Sequence, residues 1–200
     1  MKLSIQHLQR AYKNKDENIE DKLNRTTNLL INQIDTLSEL ANEFSSFAKM
    51  PAPNYEPIQV ELALNEILTL YSLNTDALFN VSCNVTNDLI FDKSYFSRSI
   101  GNIVKNAIQS IPDTVYGIIE IVAEEHTENI IIIVKDNGSG MSEQQSKQIF
   151  KPYFSTKISG MGLGLPIVKN MIESGKGTIT FISTEGQGTT FIITLPKQVS

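Results

Sequence analysis

The chain is predicted to be an α+β protein, a two-layer α/β sandwich preceded by an α-helical hairpin. Three observations carry this. Residues 18–49 hold no Gly or Pro and repeat every seven positions. An abrupt break follows at Met50-Pro51-Ala52-Pro53, since a residue before proline is pushed out of the helical region. Beyond it, short β-rich runs alternate with amphipathic helical runs. The expected parts are a partial dimerising hairpin over 1–50, a linker over 51–57 and a mixed domain over 58–200.

In the hairpin, Thr27, Ile34, Ala41 and Ala48 fall seven apart. Leu23, Leu30, Leu37 and Phe44 interleave with them as the second seam position. Met1, Ile5, Leu8 and Tyr12 carry similar spacing upstream, and the polar run Lys13-Asn14-Lys15-Asp16-Glu17 separates the two helices. So narrow a seam needs partner helices, and two hairpins pairing as a four-helix bundle predict a homodimer. The second helix should be roughly 45–48 Å long, against about 18 Å for the first. That mismatch predicts a first helix beginning upstream of Met1, and hence a longer parent chain.

In the mixed domain a strand is expected near Ile58–Val60, then a helix over Leu62–Ser72, a strand over Phe79–Val85 and a helix over Lys93–Ser110. Strands Ile118–Ala123 and Ile130–Lys135 flank the polar turn His126-Thr127-Glu128-Asn129. A short helix over Glu143–Phe150, a helix from Pro166 to Glu173, and strands Thr178–Ser183 and Thr190–Leu195 complete the order. Strands paired mostly as hairpins beside several helices give one mixed sheet with helices on one face.

Composition narrows the partners. The 200 residues are 40% hydrophobic and carry a net charge of −5, which leaves no basic footprint for duplex nucleic acid. No apolar run is long enough to span a bilayer, and Met1-Lys2-Leu3-Ser4 leads into polar residues, so no membrane contact is expected of this stretch. The single Cys83 lies among strand residues as a small apolar filler, in keeping with a reducing cytoplasm.

Four glycine-bearing or aromatic signals follow one another between Asp136 and Gly188, behind Asn102 and Asn106 at helical spacing. The two asparagines share one helix face, where an amide oxygen suits Mg²⁺ that keeps phosphates and waters in its shell. Asp136 ends an apolar strand and can accept a hydrogen bond from an exocyclic amine such as adenine N6. Gly138 and Gly140 let the backbone pass close to a flat base. Gly160, Gly162 and Gly164 precede Pro166, which suits a first helical turn whose free amides and positive end attract polyphosphate. Neither a Walker ending nor dinucleotide glycine spacing is present. The segment Lys151–Gly160 reads as a mobile lid.

The stretches Asn102-Ile103-Val104-Lys105-Asn106-Ala107, Asp136-Asn137-Gly138-Ser139-Gly140-Met141, Phe150-Lys151-Pro152-Tyr153-Phe154-Ser155-Thr156-Lys157, Gly162-Leu163-Gly164-Leu165 and Gly188-Thr189-Thr190-Phe191 resemble the N, G1, F, G2 and G3 boxes of sensor histidine kinases. These kinases are among the Bergerat-fold ATPases, and the resemblance covers roughly residues 54–196. Residues 42–51 further resemble the end of the dimerisation helix in nitrogen-regulation sensor kinases.

The resemblance implies Mg²⁺-ATP, transfer of the γ-phosphoryl to a histidine on the dimerisation helix, and relay to a response-regulator receiver domain. It implies Asn106 as the metal ligand, Asp136 as the adenine contact, and Gly162, Leu163, Gly164 and Leu165 as the phosphate cradle. Thr189 would support the adenine end, Asn102 would join the ATP-binding face, and Phe150 and Phe154 would anchor the lid. Gln109 stands where many relatives carry a cation, so Lys105 or Lys157 is expected to substitute. His7 and His126 lack the acceptor pattern, so the phosphorylated histidine is expected upstream of Met1 and self-phosphorylation is not expected. Gyrase-like hydrolases place a glutamate where Asn102 stands, while a serine kinase or a non-enzymatic scaffold remains the alternative. Cytoplasmic placement, with an inner-membrane anchor elsewhere in the parent protein, also follows from the resemblance.

Overall fold

The computed structural model describes residues 2–14, 18–48, 52–73, 75–155 and 162–198. The chain forms two compact units, Met1–Met50 and Pro51–Ser200.

The first unit is α1 (Lys2–Lys13) packed against α2 (Ile19–Ala48). Arg10 and Lys13 close α1, and Glu20 and Asp21 open α2, so each charge complements the helix end it occupies. Leu23 and Ile34, both on the heptad seam, are 48% and 54% exposed, as are large parts of Leu29 and Ile31. Among the described residues no helix is long and apolar enough to cross a membrane.

The second unit runs β1 (Glu56–Ile58), α3 (Val60–Ser72), β2 (Leu78–Asn84), β3 (Leu89–Phe91), α4 (Lys93–Ser110), β4 (Ile118–Glu125), β5 (Asn129–Asp136), α5 (Glu143–Ser146), α6 (Gly164–Ser174), β6 (Thr178–Thr184) and β7 (Gly188–Pro196). Five strands form one mixed sheet in the order β2-β4-β5-β7-β6, with β2 parallel to β4 and the other pairs antiparallel. Strict alternation sorts its faces. Ile119, Ile121 and Ala123 of β4, Ile130, Ile132 and Val134 of β5, and Phe191, Ile193 and Leu195 of β7 are buried. The intervening residues are half-buried or exposed. The buried face meets one layer of helices, with Leu64 and Ile67 of α3, Ile100, Ile103 and Val104 of α4, and Val168 and Met171 of α6 closing the core.

Helix α4 starts where Asp92 caps it, accepting from the Tyr95 amide at 2.8 Å and also from the Asn54 amide at 2.7 Å. The short strand β3 was not expected from the sequence. Its three residues are too few to show a period, and among the described residues it pairs with β1 as a separate two-stranded ribbon, where Pro57 is tolerated. Helix α5 stops at Ser146 rather than Phe150, its start fixed by a reciprocal box in which Ser142 and Gln145 satisfy each other's amides. Helix α6 begins at Gly164, two residues before the expected Pro166.

At one end of the sheet Glu125 ties three segments together. Its carboxylate accepts from Lys197 Nζ at 2.5 Å, Asn87 Nδ2 at 2.6 Å, the Thr86 amide at 2.8 Å and hydroxyl at 2.9 Å, and the Asn87 amide at 3.1 Å. The Lys197 ammonium first, and then these donors, hold the carboxyl far below the usual carboxylate range. A depressed acid stabilises the fold above its unfolded value of about 4.3 and loses that contribution as pH falls. Glu125→Gln is therefore expected to lower Tm at pH 7, with the gap to wild type closing progressively below about pH 4.3. A gap that widens in acid contradicts the assignment.

Candidate functional site

The helix-facing side of the sheet is apolar until its last row, where it turns polar. Asp136 ends β5 with 5% of its surface exposed, and Thr189, near the start of β7, has 6% exposed. A buried carboxylate needs donors. Three converge on Asp136 Oδ1: the Gly138 amide at 2.9 Å, the Thr189 amide at 3.2 Å and the Ser110 hydroxyl at 3.1 Å, whose one proton is shared with the Ala107 carbonyl at 2.8 Å. These donors come from the loop after β5, the end of α4 and β7, so three elements meet on one oxygen.

The loop itself is tightly held. Asn137 accepts from the Ile118 amide at 2.8 Å and donates Nδ2 to the Tyr116 carbonyl at 2.9 Å, so its side chain is consumed in pinning the start of β4. A Cβ on Gly138 would come within 2.0 Å of Ser110 Oγ, and Ser139 donates its amide to the Ser110 carbonyl at 2.9 Å. Gly140 has φ 62°, and a Cβ there would lie 2.0 Å from the Thr184 carbonyl oxygen, so only glycine fits this turn. The loop after Asp136 is thus clasped between the end of α4 and the β6–β7 turn.

Along α4, Asn102, Asn106 and Ser110 recur every fourth residue and form one half-buried stripe. Asn102 donates Nδ2 to the Arg98 carbonyl at 2.9 Å. Its Oδ1 lies 3.2 Å from where a Cβ on Gly164 would stand, which brings the start of α6 against this face. Leu163 is fully buried and precedes α6 without a side-chain cap, and Leu165 is half-buried in the first turn. With Pro166 occupying that turn, the helix opens on backbone amides alone. Lys105 is exposed on α4.

Phe150 packs edge-on against Phe181 of β6 at 5.9 Å, and Lys169 of α6 lies 5.6 Å from its ring centroid. Phe154 is half-buried, and its backbone touches Gly162 so closely that a Cβ there would meet the Phe154 carbonyl at 2.2 Å. Gly162 also has φ 67° and accepts the Tyr153 amide at 3.2 Å. The two sides of the glycine-bearing segment are therefore fastened together at Phe154 and Gly162. Lys157, Gly160 and the body of the expected lid lie outside the described residues. His126 is exposed in the β4–β5 turn, 3.8 Å from Glu124.

Two participants escaped the sequence reading. Ser110 continues the four-residue spacing of Asn102 and Asn106, which was signal enough. Ser183 stands opposite Thr189 in the β6–β7 register, and the two hydroxyls are 2.9 Å apart. Only the pairing register reveals that contact.

Among the described residues no three His, Cys, Asp or Glu side chains gather into a metal cage. The oxygen donors on the α4 stripe are neutral, the amides of Asn102 and Asn106 and the hydroxyl of Ser110. Such a set fits Mg²⁺ arriving with a polyphosphate that completes its shell, and not a metal held by protein alone.

A mixed five-stranded sheet under three helices, ending in a locked carboxylate beside an asparagine stripe and an uncapped helix start, defines a nucleotide-binding ATPase fold. The chain belongs to the histidine kinase-, DNA gyrase B- and HSP90-like ATPase family, whose pattern matches residues 91–199. It is 30% identical over 176 residues to the sensor histidine kinase ZraS of Escherichia coli K12, covering 86% of this chain and 37% of that protein. It is 29% identical over 205 residues to the nitrogen regulation protein NtrY of Azorhizobium caulinodans, covering 99% of this chain and 27% of that protein. The chain thus spans about a third of the length of these relatives. The solved catalytic domain of the histidine kinase ThkA superimposes with a TM-score of 0.65 at 25% identity, covering 72% of this chain and 96% of that one.

Proposed function

We propose that the chain is the catalytic core of a sensor histidine kinase, binding Mg²⁺-ATP and transferring its γ-phosphoryl to a histidine for relay to a response-regulator receiver domain. The observation that carries this reading is the buried Asp136, fixed by three donors at the end of an otherwise apolar face. Family membership and the likeness to ZraS and NtrY support it. Asp136 would accept from the adenine amine, with Gly138 and Gly140 passing beside the ring and Thr189 closing that end. The α6 start, with Gly162, Leu163, Gly164 and Leu165, would receive the phosphates.

Asn106, seconded by Asn102, would hold Mg²⁺, which neutralises phosphate charge when bound. Phe150 and Phe154 would anchor the closing segment. Lys105 is the described candidate for a phosphate-facing cation, and Lys157 remains the other. Phosphoryl transfer depends chiefly on position and charge, so this inventory suffices without a protein-derived base. Saturable binding of Mg²⁺-ATP tests the reading, and a folded chain that ignores millimolar ATP sinks it.

Residues 1–50 are proposed as part of a dimerising hairpin, 51–57 as its linker and 58–200 as the ATP-binding domain, in a cytoplasmic setting. The open seam residues Leu23 and Ile34 support the first of these. Ile34→Lys is expected to convert a dimer into a monomer in sedimentation equilibrium. A wild-type chain that stays monomeric at every concentration contradicts that assignment.

A further inference from the structure

We propose that Lys169 is a positioning residue for the phosphate cradle, acting through the ring of Phe150. The inference rests on the reading of Gly162, Leu163, Gly164 and Leu165 as the phosphate-receiving turn and deepens it. Its basis is a circuit of contacts that leaves α6 at Lys169 and returns to it at Gly162. The Lys169 ammonium lies 5.6 Å from the Phe150 ring centroid, within the range of a cation–π contact. Phe181 holds the same ring edge-on at 5.9 Å and leans in turn on the buried Phe191 at 6.0 Å. Phe150 is thus seated between β6 and the second turn of α6.

From that seat the chain makes one tight turn back to α6. The Lys151 amide donates to the Gln148 carbonyl at 2.8 Å, and the Phe154 amide to the Lys151 carbonyl at 3.3 Å. The Tyr153 amide then donates to the Gly162 carbonyl at 3.2 Å. A Cβ on Gly162 would stand 2.2 Å from the Phe154 carbonyl oxygen, so the two backbones touch. Tyr153 has φ 66° and Gly162 φ 67°. The left-handed value is costly for a tyrosine and persists where the surroundings fix it. Gly162 stands directly before Leu163 and Gly164, the N-cap and first residue of α6, so its backbone angles set where the first free amides point.

A Phe150 ring that leaves its seat loosens this turn, and with it the brace on Gly162. The Lys169 ammonium, which also lies 3.7 Å from Glu173 one turn further along α6, resists that shift. Its effect on ATP is one of preorganisation. A loosened cradle must be ordered again when phosphate arrives, and the apparent affinity falls with the fraction of protein that holds it ready.

The test measures Kd for Mg²⁺-ATP in wild type, Lys169→Met, Lys169→Arg, Phe150→Leu and the double variant Lys169→Met/Phe150→Leu, with hydrogen exchange over residues 150–154 as a second reading. Lys169→Met keeps the apolar stem and removes the charge. It should weaken ATP binding by about threefold and speed exchange across the turn. Lys169→Arg should stay near wild type, because it returns a cation to the ring. In the Phe150→Leu background the methionine should change little further, since the ring through which the charge acts is gone. The comparison of methionine with arginine stands by itself if Phe150→Leu fails to fold or to bind.

Equal weakening by Lys169→Met with and without the Phe150 ring marks a direct pull of the ammonium on phosphate and overturns the inference. Wild-type affinity in Lys169→Met, or a Lys169→Arg protein that binds as weakly as Lys169→Met, overturns it too. Each of these leaves the ATP site standing. A wild-type protein that binds no ATP overturns the site and the inference together.

Discussion

Replacing Asp136 with asparagine is expected to weaken ATP binding on the order of 100-fold without unfolding the protein. The fold should survive because Oδ1 is the atom that organises it. Gly138, Ser110 and Thr189 all donate to that one oxygen, and an amide oxygen can accept from all three in its place. The asparagine nitrogen then occupies the position of Oδ2 and turns an acceptor into a donor. An adenine amine meeting a donor loses its bond and gains a repulsion, and the loss of a charged partner adds to the cost. Titration calorimetry gives the affinity, and thermal melting in the absence of nucleotide gives the control. An unchanged ATP affinity in a well-folded Asp136→Asn protein removes this residue from base recognition.

Asn106→Ala should abolish the gain in ATP affinity that Mg²⁺ brings, while sparing binding in chelator. Asn106 sits half-buried on α4, one turn after Asn102 and one turn before Ser110. The stripe thus runs from the residue facing the α6 start to the residue beside Asp136, with Asn106 between the ends proposed for phosphate and base. A hard oxygen donor at that midpoint suits a cation bridging the phosphates. Because the base end stays intact in the variant, metal-free binding should change by less than about threefold, whereas the Mg²⁺-dependent gain of roughly tenfold or more should vanish. Measuring ATP affinity with Mg²⁺ and with EDTA separates these two quantities. A Mg²⁺ effect that persists in Asn106→Ala assigns the metal to other oxygens.

Much of this was legible from the sequence because the signals were of different physical kinds. The heptad of residues 18–49 needed only periodicity, and α2 indeed runs from Ile19 to Ala48. The strands β4 and β5 alternate so regularly that their core faces follow from residue order alone. Asp136 was readable as a polar ending to an apolar run. What it would bond to was not, since Ser110 and Thr189 are 26 and 53 residues away and meet it only through tertiary packing.

The same limit hid Glu125, whose partners Thr86, Asn87 and Lys197 are scattered along the chain. Strand β3 was missed because three residues carry no period, and the start of α6 because Gly164 and Leu165 have poor and good helix propensities side by side. Gly164 lies against Asn102, where a Cβ would stand 3.2 Å from its Oδ1.

The most direct test of the account is a crystal structure with Mg²⁺ and a non-hydrolysable ATP analogue. It should place the adenine amine within hydrogen-bonding reach of Asp136, the metal on the Asn106 amide oxygen and the phosphates at the amides that open α6. Nucleotide bound elsewhere, or a cleft left empty at saturating analogue with Asp136 still clasped by its three donors, would contradict it.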